Sequence, residues 1–107
     1  MKKIEGFRGR AKKISGVGCI VYELWVNFRG DLFVKLIDNE LNTSRPGTHS
    51  AVFYSVGQFA DRRDSTESIG NPVGIDEMGV VQTRSDNNNG AFLKAVLRDL
   101  LPAKNGG

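Results

Sequence analysis

The chain has a single cysteine, Cys19, and a single histidine, His49, among its 107 residues. One cysteine excludes an intramolecular disulfide, and one histidine leaves too few ligands for the usual zinc sets. No apolar run approaches the roughly 18 residues that a membrane-spanning helix needs. The opening MKKIEGFRGRAKK also lacks the apolar stretch of a secretory signal. The expected location is therefore the cytoplasm, away from membranes, and neither a metal nor another cofactor is expected. In that compartment the sequon Asn42-Thr43-Ser44 is a chance match.

What is present is an ordinary globular composition, 39% hydrophobic and 25% charged, which suits one small folded domain spanning residues 1–107. The net charge of +3 conceals an asymmetry. Residues 1–13 hold six of the 15 basic residues against Glu5 alone, a local charge of +5; the other nine face eleven acidic residues, a balance of −2. This reads as a basic N-terminal arm, able to attract phosphates by counterion release or to act as solubilising charge. A short flexible tail is expected after Pro102.

The most strongly patterned stretch is 19–38, CIVYELWVNFRGDLFVKLID. Its apolar residues alternate with period two on both sides of a central turn, which predicts a long β-hairpin. Asn27 starts a three-residue loop and Gly30 takes the left-handed position in it. That loop sets Val26 against Leu32, Leu24 against Val34 and Tyr22 against Leu36 on one face. On the other it sets Trp25 against Phe33, Glu23 against Lys35 and Val21 against Ile37, each such pair contributing about 0.2–1 kcal/mol.

The remaining elements are weaker. A strand is expected within 2–14, joined to the hairpin through Ser15-Gly16-Val17-Gly18, and a loop over 39–47. Residues 50–63 read as a strand to about Ser55 followed by one or two helical turns, and 64–71 as a polar loop. Asp76-Glu77-Met78-Gly79 repeats the turn chemistry of the first hairpin and predicts a second, near 73–83. Asp86-Asn87-Asn88-Asn89 offers helix caps, and Pro102 a stop, for a C-terminal helix near 90–101. Its broad apolar surface requires burial. The fold class is α+β: an antiparallel sheet of four to six strands with this helix on one face. The helix is expected to cover Ile20, Leu24, Val26, Leu32, Val34 and Leu36, at about 1.5–3 kcal/mol per large side chain.

Several short motifs carry partial resemblances. Arg29-Gly30-Asp31 spells the tripeptide of integrin ligands, though the turn alone explains Gly30. Arg29, Gly30, Phe33 and Val34 resemble the aromatic octapeptide of RNA recognition domains, but Asp31 and Leu36 stand where that pattern has aromatics, and Leu32 where it has a small residue. Gly6-Phe7-Arg8-Gly9 resembles the glycine-bounded loop of KH domains without their flanking helical pattern. The final Gly106-Gly107 is similar to the end of ubiquitin-like modifiers, but follows a helix rather than a strand. Cys19 with His49 is a nominal nucleophile and base, and Asp61-Arg62-Arg63-Asp64 a nominal anion or acid-base cluster. No complete catalytic constellation can be named, so a non-catalytic protein is expected.

The residues singled out for function are Trp25 and Phe33, on a face shared with Glu23, Lys35 and Asn27. This face is expected to be half buried, with no evident cover in the chain. The leading expectation is an interface with a second copy, forming a homodimer, or with another protein. The alternative is a single-stranded nucleic-acid binder in which Trp25 and Phe33 stack bases while Arg8, Arg10, Lys12 and Lys13 follow the phosphates. A third is a small-molecule pocket beneath the loop 64–71.

Overall fold

The computed structural model describes residues 1–14, 17–40, 52–67, 69–70, 72–82 and 89–102. His49, the loop from 41 onward, the cap candidates at 86–88 and Gly106-Gly107 lie outside the described residues.

The long hairpin forms as its pattern dictates. Strands β3 (Cys19–Val26) and β4 (Leu32–Asn39) pair antiparallel, with Val26 opposite Leu32, Trp25 opposite Phe33, Glu23 opposite Lys35 and Tyr22 opposite Leu36. The turn fixes this register. Gly30 donates its N–H to the Asn27 carbonyl at 3.0 Å and has φ +86°, while Asn27 Oδ1 accepts from the N–H groups of Arg29 and Asp31, each at 2.9 Å. Past Tyr22 the expected pairing of Val21 with Ile37 is corrected. A bulge leaves Ile37 without a partner on β3 and sets Val21 opposite Asp38 and Ile20 opposite Asn39.

The N-terminal strand is split. Strand β1 (Lys2–Lys3) and strand β2 (Gly9–Lys12) both pair with β3 along the same edge, and Ile4 N–H donates to the Leu24 carbonyl at 2.9 Å between them. The basic residues read as an arm are therefore largely an edge strand, whose alternate positions Gly9 and Ala11 turn inward and are buried. On the far side of β4 lies strand β5 (Tyr54–Ser55), leading into helix α1 (Val56–Phe59) and a 3-10 turn, Ala60–Arg62. The result is a five-stranded antiparallel sheet.

A two-stranded sheet follows, β6 (Gly74–Ile75) with β7 (Val81–Gln82). Its turn repeats the first. Asp76 Oδ1 accepts from Met78 and Val80, each at 2.9 Å, and Gly79 has φ +80°. Phe53 and Ile75 exchange both backbone hydrogen bonds, at 2.8 and 2.9 Å, so this sheet continues the large one.

Helix α2 (Asn89–Leu100) packs against β2 and β3. The core beneath it gathers Ala11, Ile20, Tyr22, Leu36, Leu93 and Leu97. Val26 and Leu32 sit at the turn end beyond this cover; contrary to expectation, Leu32 is 40% exposed. Polar contacts fasten the helix. Tyr22 donates its hydroxyl to Asp99 Oδ2 at 2.7 Å. Lys94, buried on the helix, donates Nζ to the carbonyls of Ser65 and Glu67. Arg63 donates Nε to the Leu101 carbonyl at 2.8 Å, satisfying one of the orphan acceptors at the helix end.

Burial, and then the bond to Asp99, hold the Tyr22 phenol well above its ordinary pKa. The folded state thus keeps a proton that the unfolded state releases first. Its contribution to stability is complete below the unfolded value of about pH 10 and is lost as pH rises above it. Tyr22→Phe is expected to cost about 1–2 kcal/mol at neutral pH and to flatten the alkaline decline. Urea unfolding between neutral pH and strongly alkaline pH measures both.

Candidate functional site on the sheet face opposite the helix

Alternation along β3 and β4 sends Glu23, Trp25, Phe33 and Lys35 to the face away from α2, and the ladder makes them neighbours. Lys3 joins them across from Trp25. The Glu23 carboxylate accepts from Trp25 Nε1 at 3.1 Å through one oxygen and lies 3.2 Å from Lys3 Nζ through the other. Lys35 Nζ stands 5.0 Å from the centre of the Trp25 ring and 5.3 Å from that of Phe53. Each is a cation–π contact.

Phe53 is the member that sequence reasoning missed. It meets Trp25 edge to face, with centroids 5.0 Å apart and planes at 73°. Phe53 is fully buried and Phe33 is 8% exposed, which corrects the expectation that the chain supplies no cover for this face. Trp25 remains half buried. The signal lay in the alternation of residues 52–56, where Tyr54 points to the core and Phe53 to the opposite face. What the pattern lacked was the strand beside which it pairs.

From Phe53 the face continues outward. Ile75 is directly opposite Phe53, and Val81 is opposite Ile75, so both side chains project to the same side. Burial falls along this row. Ile75 is half buried, while Val81 is 61% exposed; Val80 and Val73, flanking the same two strands, are also partly bare. The two hairpin tips, with Phe28 and Met78 exposed, lie at opposite ends of the sheet, because β6 runs parallel to β4.

The other singled-out residues disperse. Asn27 is engaged in its turn, and its Nδ2 also donates to Asp31 Oδ2 at 3.1 Å. Arg10 makes a two-pronged contact with Glu40, at 2.8 and 3.0 Å, which raises its pKa further, first through that hydrogen bond. Arg8 is exposed, and Lys12 and Lys13 line a groove on the helix side. Of the cluster 61–64, Arg63 is both the helix-end donor and the ion-pair partner of Asp64.

Cys19 is a free, half-buried thiol at the start of β3. Among the described residues no group of three or more His, Cys, Asp or Glu is placed to hold a metal ion. Nor is any helix among them long and apolar enough to cross a membrane. Comparison with models of protein families, with curated proteins and with solved structures finds no match to this chain.

Proposed function

We propose that the protein is a non-catalytic interaction module that binds a second copy of itself through the outer margin of the Trp25 face. The observation that carries this reading is the contrast between the two sheet edges. Along β1 and β2 the edge bears Lys2, Lys3, Arg10 and Lys12, the charged guard that keeps edge strands from pairing with other chains. Along β7 it bears no charge, and Val80 and Val81 are 56% and 61% exposed. Among the described residues β7 pairs with β6 alone.

An apolar row rimmed by Glu23, Lys35 and Lys3 has the mixed character of an interface, with Trp25 at its inner end. A two-fold axis beside β7 would pair the strand with its own copy antiparallel, covering both rows at once. The buried Phe33 offers no ring face to a base, so a stacking platform of Trp25 with Phe33 is the less favoured use of this surface.

Sedimentation velocity over a dilution series tests the proposal. The wild-type protein is expected to pass from dimer to monomer on dilution. Val81→Lys is expected to stay monomeric at every concentration, with folding stability within about 0.5 kcal/mol, since the site is exposed. A wild-type protein that is monomeric throughout, or a Val81→Lys profile matching wild type, overturns the reading.

A further inference from the structure

We infer that the groove between the end of β2 and the last turns of α2 binds a small phosphorylated polyol, of the sugar-phosphate class. The groove is open to solvent, offers about 380 Å³ and is lined by Lys12, Lys13, Ile14, Ala95, Arg98 and Asp99. That volume falls within the span of about 300–1,000 Å³ typical of small-molecule sites. It lies on the helix side of the sheet, away from the Trp25 face, and is independent of self-association.

The charges there share one hollow and are largely unspent. Five cations elsewhere are occupied: Lys3 by Glu23, Arg10 by Glu40, Arg63 by Asp64, Lys94 by two carbonyls and Lys35 by two rings. The ammonium groups of Lys12 and Lys13 have no such partner among the described residues. Among the described residues Arg98 uses only Nε, donating to the Arg63 carbonyl at 3.3 Å, which leaves both terminal nitrogens of its guanidinium for a ligand. Three cationic residues and the single carboxylate of Asp99 line one hollow, which leaves a net positive charge that an anion placed between the cations offsets.

The chemistry narrows the anion. A carboxylate brings one negative charge, whereas a phosphate monoester brings nearly two and three acceptor oxygens, matching an Arg fork with flanking lysines. Asp99 then sets what the ester carries. Its Oδ2 is taken by the Tyr22 hydroxyl, and the remaining oxygen is an acceptor that favours a hydroxyl donor in the body of the ligand. Ile14 and Ala95 supply apolar wall between the two polar ends.

The probe is ribose 5-phosphate, titrated into isotope-labelled protein while the backbone amide signals of Lys13, Ala95 and Asp99 are followed. Sodium chloride at matched ionic strength and a short oligothymidylate are titrated in parallel. Saturable shifts with ribose 5-phosphate are expected, weakened about tenfold or more in Lys13→Gln and in Arg98→Gln. Lys13→Gln removes no contact among the described side chains, so its fold is expected to be intact, with an unchanged melting temperature. Shifts that merely follow those of chloride, or saturable binding untouched by Lys13→Gln, overturn the inference. So does binding of the oligothymidylate alone, which would assign the groove to nucleic-acid phosphates.

Discussion

Leu97→Ala is expected to lower the free energy of unfolding by about 2–5 kcal/mol, the usual cost of truncating a buried leucine. Leu97 has no exposed surface, and it lies on the stretch of α2 that packs over β2 and β3. The surrounding core includes Ala11, Ile20 and Tyr22 from the sheet and Leu93 from the helix itself. A cavity there opens between two layers that cannot collapse independently, because Tyr22, Lys94 and Arg63 also hold the helix in place. For a domain of this size total stability is about 5–15 kcal/mol, so a large fraction is at stake. The melting temperature is expected to fall by at least about 8 °C, with a much smaller fall for half-buried Leu100→Ala. Circular dichroism melts decide the matter: equal melting of Leu97→Ala and wild type would mean that the helix is not docked as described.

The second large effect is expected from Gly9→Ala, at about 1–3 kcal/mol through overpacking. A β-carbon at position 9 would lie 2.2 Å from two carbons of the Tyr22 ring. The ring has nowhere to go. It is 1% exposed, packs against Phe7 at a centroid distance of 5.7 Å, and is tethered at its far end to Asp99. Releasing the tether should lessen the clash, so Gly9→Ala is expected to cost less in a Tyr22→Phe background. The coupling in that double-mutant cycle is expected to be at least about 0.5 kcal/mol. Costs that simply add would place the clash elsewhere than the ring.

These two positions also show what could be read from the chain. The register of β3 with β4 was legible down to individual pairs, because Asn27 and Gly30 specify one turn and a one-residue slip would mix the faces. The second hairpin was legible for the same reason. The bulge at Ile37 was not, since Ile37 continues an acceptable apolar run and only the buried Asn39 beside Ile20 reveals the shift. The strand hidden in the basic N-terminal stretch left a faint mark. Gly9 and Ala11 are small at alternate positions because a tyrosine ring and a helix lie over them.

The candidate site was half legible. Glu23, Trp25, Phe33 and Lys35 share a face by alternation alone, and local pairing brings them together. How much of that face is open depends on Phe53, 18 residues beyond Lys35 and 28 beyond Trp25 in the chain and joined to them through pairing that no local pattern encodes. The same holds for Arg63, whose carbonyl partner Leu101 is 38 residues away. Non-local contacts decided burial, and burial decided which residues remain accessible.

The distance along the chain between the sheet and its cover has a further consequence for synthesis on the ribosome. Tyr22 and Asp99 are 77 residues apart. At elongation rates of about 5–20 residues per second, the hairpin emerges and can pair several seconds before α2 emerges. During that interval Ile20, Tyr22, Leu24, Val34 and Leu36 face water as an uncovered apolar sheet. The nascent chain therefore has a defined window of vulnerability, closed only when the helix is released, and slowing translation between the hairpin and the helix should lengthen its dependence on chaperones.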